Sequence, residues 1–152
     1  IPTLILDDGS EIYDSRVICE YFDVTFGGGR LCPAGGNARW QVLRKLALGD
    51  GLMEVIVGLL GERARAEAIR SEPHLSTYQL KMTGTLDYLE KHAGPPPADP
   101  NMADLSIACA LSHLDFRFAA ENWRKGRDKL AAWHKAMAER PSMKATEYAD
   151  VY

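Results

Sequence analysis

Residues 101–119, NMADLSIACALSHLDFRFA, form the most informative stretch of this chain. Apolar side chains recur in it at helical spacing on two sides rather than on one. One face is formed by Leu105, Ala108, Cys109, Ser112 and Phe116, and another by Ile107, Leu111, Leu114 and Phe118. A helix that is apolar almost all round lies inside a protein. The stretch therefore predicts a central helix that is surrounded by other helices.

The start of this predicted helix carries a capping pattern. Asn101 is a favoured N-cap residue, and Asp104 follows three positions later, where a carboxylate can accept a bond from the N-cap backbone. Aspartate is shorter than the usual glutamate or glutamine, so the pattern leaves this return bond open. We expect Asn101 and Asp104 to form a structural N-cap, and Asp104 to be a cap rather than a catalytic base.

Helical periodicity also dominates the sequence on both sides of this stretch. One long helix is predicted from about Trp40 to about Arg70, with a bend because several glycines lie inside it. A second helix is predicted to end before Gly94. A last one contains Leu130 and stops at Pro141. This part of the chain is predicted to be an all-helical bundle.

The first quarter of the chain has a different pattern. TLIL and EIY are predicted to be short strands joined by a DDGS turn, since Asp-Gly is a strong hairpin signal. A short helix, SRVICEYFD, follows, with Asp14 or Ser15 as its cap. The glycine- and proline-rich segment FGGGRLCPAGG is predicted to be a linker.

The composition excludes several classes of protein. Among 152 residues, 18 basic and 21 acidic side chains give a net charge of -3, which argues against a nucleic-acid-binding surface. The longest apolar runs are too short to span a membrane. The cysteines Cys19, Cys32 and Cys109 and the four histidines lack the spacing of metal ligands. We therefore expect no metal, and buried or half-buried thiols in a reducing cytoplasm.

The order of these segments, together with their motifs, resembles the cytosolic glutathione transferase family. IPTLILDDGSEIYDSRVICEYFD is similar to the second half of the family's thioredoxin-like domain, RLCP to the end of that domain, and NMADLSIA to a buried capping motif. WQVLRKLALGDGLMEVIVGLLGERAR is similar to bacterial members. The resemblance implies an α+β fold: the C-terminal part of a thioredoxin-like domain at 1–28, a linker at 29–37 and an all-α bundle at 38–152.

The same resemblance implies an activity. A glutathione transferase conjugates the thiolate of glutathione, its co-substrate, to a small apolar electrophile, often for detoxification, and works as a cytoplasmic homodimer. Family members place a strand, a helix and a strand before the proline that corresponds to Pro2. The catalytic serine, tyrosine or cysteine is therefore expected upstream of Ile1. The alternative is a non-catalytic family member that serves binding or assembly.

Four residues are expected to bind glutathione by this resemblance. The Ile1–Pro2 peptide bond is expected to be cis and to let the backbone of Ile1 pair with the tripeptide. Asp14 and Ser15 are expected to receive the γ-glutamyl end at a helix N-terminus, where free N–H groups and the helix dipole favour a carboxylate. A plain N-cap is the alternative for Asp14 and Ser15. The neighbouring Arg16 is either a solvated surface residue or a helper in anion binding.

The second-substrate pocket is harder to predict from the residues. Asp50 interrupts the apolar row of the long helix, so its carboxylate needs water, a partner or a ligand. A hydrogen-bonded structural role and a position facing the cleft both remain open. Met53 lies on the same helix and is a candidate for the pocket, with core packing as the alternative. Cys19 lies away from the expected sulfur position and is not predicted to be a nucleophile.

Overall fold

The computed structural model describes residues 2–149, which form a small β-hairpin followed by helices. The hairpin consists of β1 (Leu4–Ile5) and β2 (Glu11–Ile12). The helices are α1 (Ser15–Phe26), α2 (Gly36–Ala64), α3 (Glu72–His92), α4 (Met102–Arg117), α5 (Asp128–Ala138) and α6 (Pro141–Ala145). Short 3-10 turns occupy Glu67–Ile69 and Ala119–Glu121. The predicted division into domains and a linker stays a prediction.

The hairpin has the predicted turn. β1 and β2 are antiparallel, with Leu4 opposite Ile12. The carbonyl of Leu6 accepts the N–H of Gly9 at 2.9 Å. Gly9 has a φ of 82°, in the left-handed region that glycine enters without strain. The Asp8 carboxylate accepts bonds from both the backbone and the hydroxyl of Ser10, and so closes the turn.

Helix α4 is the centre of the bundle, as its sequence predicts. Eight of its residues are buried, and it packs against α2 and α5. The main core contains side chains from α2, α3, α4 and α5, among them Ile56, Leu86, Leu111 and Met137. The mostly helical bundle with a small two-stranded sheet confirms the predicted fold class.

The expected end of the long helix at about Arg70 was wrong. Helix α2 ends at Ala64, and Arg65 is already extended, with φ -66° and ψ 152°. The Glu62 carboxylate accepts the N–H of Ser71 at 2.6 Å, which draws the following segment back toward the end of α2. Ser71 then caps α3 by accepting from the N–H of His74. A side-chain bond between distant residues, rather than helix propensity, sets this boundary.

The last predicted helix needed a smaller correction. Pro141 does not only stop the preceding helix; it also begins α6. Proline is favoured in the first helical position because an N–H there has no intrahelical acceptor, so the lack of an N–H in proline costs no hydrogen bond. Among the helices of residues 2–149, none is long and apolar enough to cross a membrane.

Candidate functional site

The first turn of α1 lies directly beside the hairpin, since only Tyr13 and Asp14 separate it from β2. Asp14 is the N-cap, and its carboxylate accepts the N–H of Arg16 at 3.0 Å. The N–H groups of Ser15 and Val17 have no acceptor within residues 2–149, as expected in the first turn of a helix. Asp14 and Ser15 are both exposed. This turn therefore offers free donors and the positive end of a helix dipole to an anion.

Two of the predicted binding residues lie beyond the same end of the hairpin. Because β1 and β2 are antiparallel, Pro2, which precedes β1, and Asp14, which follows β2, lie beyond the same end of the hairpin. Pro2 is exposed. Ile1 lies outside the described residues, and so does the Ile1–Pro2 peptide bond whose cis form is expected.

Arg16 joins the first turn of α1 to α2. Its Nε lies 2.8 Å from Oδ2 of Asp50, and its Nη2 lies 2.5 Å from Oε1 of Glu54. The guanidinium group is half exposed, but it is already paired with two carboxylates. Arg16 is exposed, as expected for a surface residue, and it also bridges two helices, which the sequence did not indicate.

The other carboxylate oxygen of Asp50, Oδ1, is bound within the protein as well. The hydroxyl of Ser106 donates to Oδ1 of Asp50 at 2.6 Å. Helix α4 can come this close because Gly49 lies at the crossing: a Cβ added there would be 2.6 Å from the Ser106 hydroxyl. This is the hydrogen-bonded alternative for Asp50. Met53 is half-buried and packs against the main core, as its core-packing alternative has it.

The far end of α1 is fastened to the start of α4. The buried carboxylate of Asp23 accepts the N–H of Leu31 at 3.0 Å and the N–H of Cys32 at 2.9 Å. The carbonyl of Leu31 in turn accepts the N–H of Met102, the first residue of α4, at 3.0 Å. Both ends of α1 are thus tied to the bundle. Sequence reasoning did not identify Asp23, although an aspartate just before a glycine-rich loop is a typical partner for loop N–H groups.

The predicted capping pair at the start of α4 has both bonds of a capping box. Oδ1 of Asn101 accepts the N–H of Asp104 at 3.1 Å, and Oδ2 of Asp104 accepts the N–H of Asn101 at 3.1 Å. Aspartate is therefore long enough for the return bond that the sequence left open. The Asp104 side chain is buried, and Lys45 on α2 lies 3.3 Å from its other oxygen. The pair has the geometry of a structural cap.

None of the three cysteines has the character of an activated nucleophile. Desolvation by the surrounding protein atoms, together with the nearby Asp50 carboxylate, raises the pKa of the Cys19 thiol. Burial also raises the pKa of Cys32 and of Cys109. Since the thiolate is the reactive form, these shifts reduce reactivity. Cys19 is exposed, contrary to the expectation of buried or half-buried thiols.

A Ser–His–Asp grouping inside the bundle resembles a catalytic triad in composition only. Nε2 of His134 lies 3.0 Å from the hydroxyl of Ser112, and Nδ1 lies 3.7 Å from Asp115. Arg124 Nη2 lies 3.2 Å from Nδ1, and arginine can only donate, so Nδ1 carries no proton. The proton is then on Nε2, the nitrogen that faces Ser112, whereas a triad needs a free lone pair there to accept the serine proton. The grouping is a buried polar network.

Comparison with known proteins agrees with this architecture. Residues 72–136 match the family model described as the C-terminal domain of glutathione S-transferases. The chain is 31% identical over 150 residues to the uncharacterized GST-like protein YibF of Escherichia coli K12, covering 97% of this chain and 74% of YibF. The chain belongs to the glutathione S-transferase family. Within residues 2–149, no three His, Cys, Asp or Glu side chains gather where they could hold a metal ion.

Solved structures of glutathione transferases superimpose closely on the chain. A glutathione transferase family member from Pseudomonas fluorescens Pf-5, with bound S-(propanoic acid)-glutathione, is 39% identical with a TM-score of 0.90. The superposition covers 98% of this chain and 77% of that one. A glutathione S-transferase from Methylobacillus flagellatus KT with bound glutathione is 30% identical, also with a TM-score of 0.90, over 98% of this chain and 76% of that one.

Proposed function

We propose that the protein is a glutathione transferase that conjugates the glutathione thiolate to a small apolar electrophile. The observation that carries the proposal is the exposed first turn of α1, where Asp14 and Ser15 lie with free N–H groups directly after the hairpin. The bound glutathione in the relative from Methylobacillus flagellatus and the bound S-substituted glutathione in the relative from Pseudomonas fluorescens support it.

In this proposal the first turn of α1 receives the γ-glutamyl end of the tripeptide. The Ser15 hydroxyl and the free N–H groups bind the glutamyl carboxylate, and the dipole of α1 adds to the attraction. Asp14 keeps its cap bond through Oδ1, and its Oδ2 faces the glutamyl ammonium group. The backbone of Ile1, held by a cis bond to Pro2, pairs with the cysteinyl part of glutathione. Asp50 and Met53 stay candidates for the second-substrate pocket.

The chemical step needs a group that stabilises the thiolate. The glutathione thiol loses its proton, the sulfur forms a bond to the electrophilic carbon, and the leaving group departs with the bonding electrons. The raised pKa values of Cys19, Cys32 and Cys109 argue against each of these thiols in the reaction. As the family resemblance implies, the catalytic serine, tyrosine or cysteine is proposed upstream of Ile1. A cytoplasmic homodimer, as the family resemblance implies, belongs to the same proposal.

The test uses the protein as its gene encodes it, with 1-chloro-2,4-dinitrobenzene as the electrophile. Ser15→Ala should raise the KM for glutathione about tenfold, since a hydrogen bond to a charged group contributes about 1.5 kcal/mol. Ser76→Ala is the matched control, because Ser76 is exposed near the start of α3. Retention on immobilised glutathione without turnover of any electrophile would favour the non-catalytic alternative. Equal KM values for the two variants would refute the assignment of Ser15.

A further inference from the structure

The helical bundle contains a cavity that the proposed glutathione site does not use. It has a volume of about 210 Å³ and lies where α2, α3, α4 and α5 meet. Its lining includes no residue of the hairpin or of α1. The apolar part of the lining consists of Leu48, Leu89, Ile107, Leu130 and Trp133. The Trp133 side chain is buried, so its ring belongs to the wall rather than to the outer surface.

The polar part of the lining has an excess of positive charge. Arg44 and Lys45 come from α2, and Asp104 is the carboxylate of the lining. Asp104 already accepts a bond from the N–H of Asn101 and lies 3.3 Å from Lys45. Arg44 makes no ion pair or hydrogen bond within residues 2–149. Its guanidinium group is therefore the unmatched charge at this cavity.

An aromatic pair adds a flat surface to the same cavity. The rings of Tyr88 and His92 are stacked with their centroids 4.1 Å apart. Nδ1 of His92 lies 2.7 Å from the carbonyl oxygen of Tyr88, so it carries the proton that this bond needs. The bond holds the imidazole ring in place against the Tyr88 ring.

We propose that this cavity binds an aromatic monocarboxylate. The guanidinium group of Arg44 offers paired donors that match a carboxylate, and the Trp133 ring and Leu89 offer apolar contact to a flat ring. A neutral ligand of the same shape gains the apolar contact but not the charge pairing. A cation is opposed by Arg44 and Lys45.

The test is a titration of the protein with 2-naphthoate, in which binding is measured by isothermal titration calorimetry and by tryptophan fluorescence. The neutral analogue 2-naphthylmethanol should bind several-fold more weakly. Arg44→Gln should weaken 2-naphthoate binding about two- to fivefold, as expected for one partly exposed ion pair. Lys81→Gln removes the same charge from an exposed position on α3 and should leave binding unchanged. Circular dichroism of both variants checks that the fold is retained.

A third variant locates the ligand. Trp133→Phe should abolish the fluorescence response while leaving the signals of Trp40 and Trp123, and calorimetry should still detect binding. The proposal is overturned if 2-naphthylmethanol binds as tightly as 2-naphthoate, or if Arg44→Gln and Lys81→Gln behave alike. It is also overturned if glutathione displaces 2-naphthoate competitively, because the ligand would then occupy the glutathione site instead.

Discussion

Replacing Gly49 with alanine should destabilise the protein, although alanine is normally the better helix residue. Within α2 the change should gain about 1 kcal/mol of helix propensity. The added Cβ, however, would lie 2.6 Å from the Ser106 hydroxyl and 2.9 Å from the backbone nitrogen of Ile107. The hydroxyl can rotate away, but the backbone atom moves only if α4 shifts. Overpacking of this kind costs about 1–3 kcal/mol; since a shift of the backbone belongs at the upper end of that range, the net loss should reach about 2 kcal/mol.

The assay is urea unfolding followed by circular dichroism, with thermal unfolding as a second measurement. A loss of about 2 kcal/mol corresponds to a fall in Tm of about 4–8 °C for a chain of this size. Gly51→Ala and Gly61→Ala are matched controls in the same helix, since a Cβ at either position meets nothing within 4 Å. Both controls should stabilise the protein by about 0.5–1 kcal/mol.

The sign of the difference between these variants is the decisive result. If Gly49→Ala were as stable as Gly51→Ala, the close crossing of α2 and α4 would not exist as described. If all three variants were destabilised alike, backbone flexibility in α2 rather than the crossing would be the cause. A fall in stability for Gly49→Ala alone supports the steric argument.

Two further effects follow from the buried polar groups. Asp104→Ala should reduce the free energy of unfolding by about 1–2 kcal/mol, because the cap bond to Asn101 is lost, and urea unfolding measures this. Burial, with the charge of Arg124, lowers the pKa of His134 below 6.5 against the opposing Asp115 carboxylate. The unfolded chain then binds a proton that the folded chain does not, so stability should fall as the pH drops below about 6.5. His134→Gln should make the free energy of unfolding depend less on pH below about 6.5, as measured by urea unfolding. Some pH dependence should remain, because burial also lowers the pKa of His113. If the substitution left the pH dependence unchanged, the assignment to His134 would be wrong.

The parts of the fold that could be predicted from the sequence depend on local signals. Helix α4 follows from apolar periodicity, the hairpin from Asp-Gly between two short apolar runs, and the capping pair from the spacing of Asn101 and Asp104. In each case the residues that determine the structure are neighbours in the chain. Asp14 and Ser15 were placed at a helix start by the same kind of signal.

The end of α2 could not be predicted in this way. Helix propensity continues past Ala64, and the structure stops the helix there because Glu62 binds the backbone of Ser71. That bond stabilises the protein only after the segment between Glu62 and Ser71 has folded back toward α2. A pattern of apolar residues contains no information about it, so the predicted helix ran several residues too far.

The roles of Asp50 and Arg16 show the same limit at the candidate site. The sequence shows a carboxylate in an apolar row and an arginine at a helix start, but no pattern in it predicts that the two side chains form an ion pair. Gly49 supplies the reason, because the missing side chain lets α4 approach until Ser106 binds one oxygen of Asp50. The other oxygen is then held toward Arg16, which fastens the first turn of α1 to α2. A glycine that weakens α2 as an isolated helix therefore fixes the position of the turn that we propose binds glutathione.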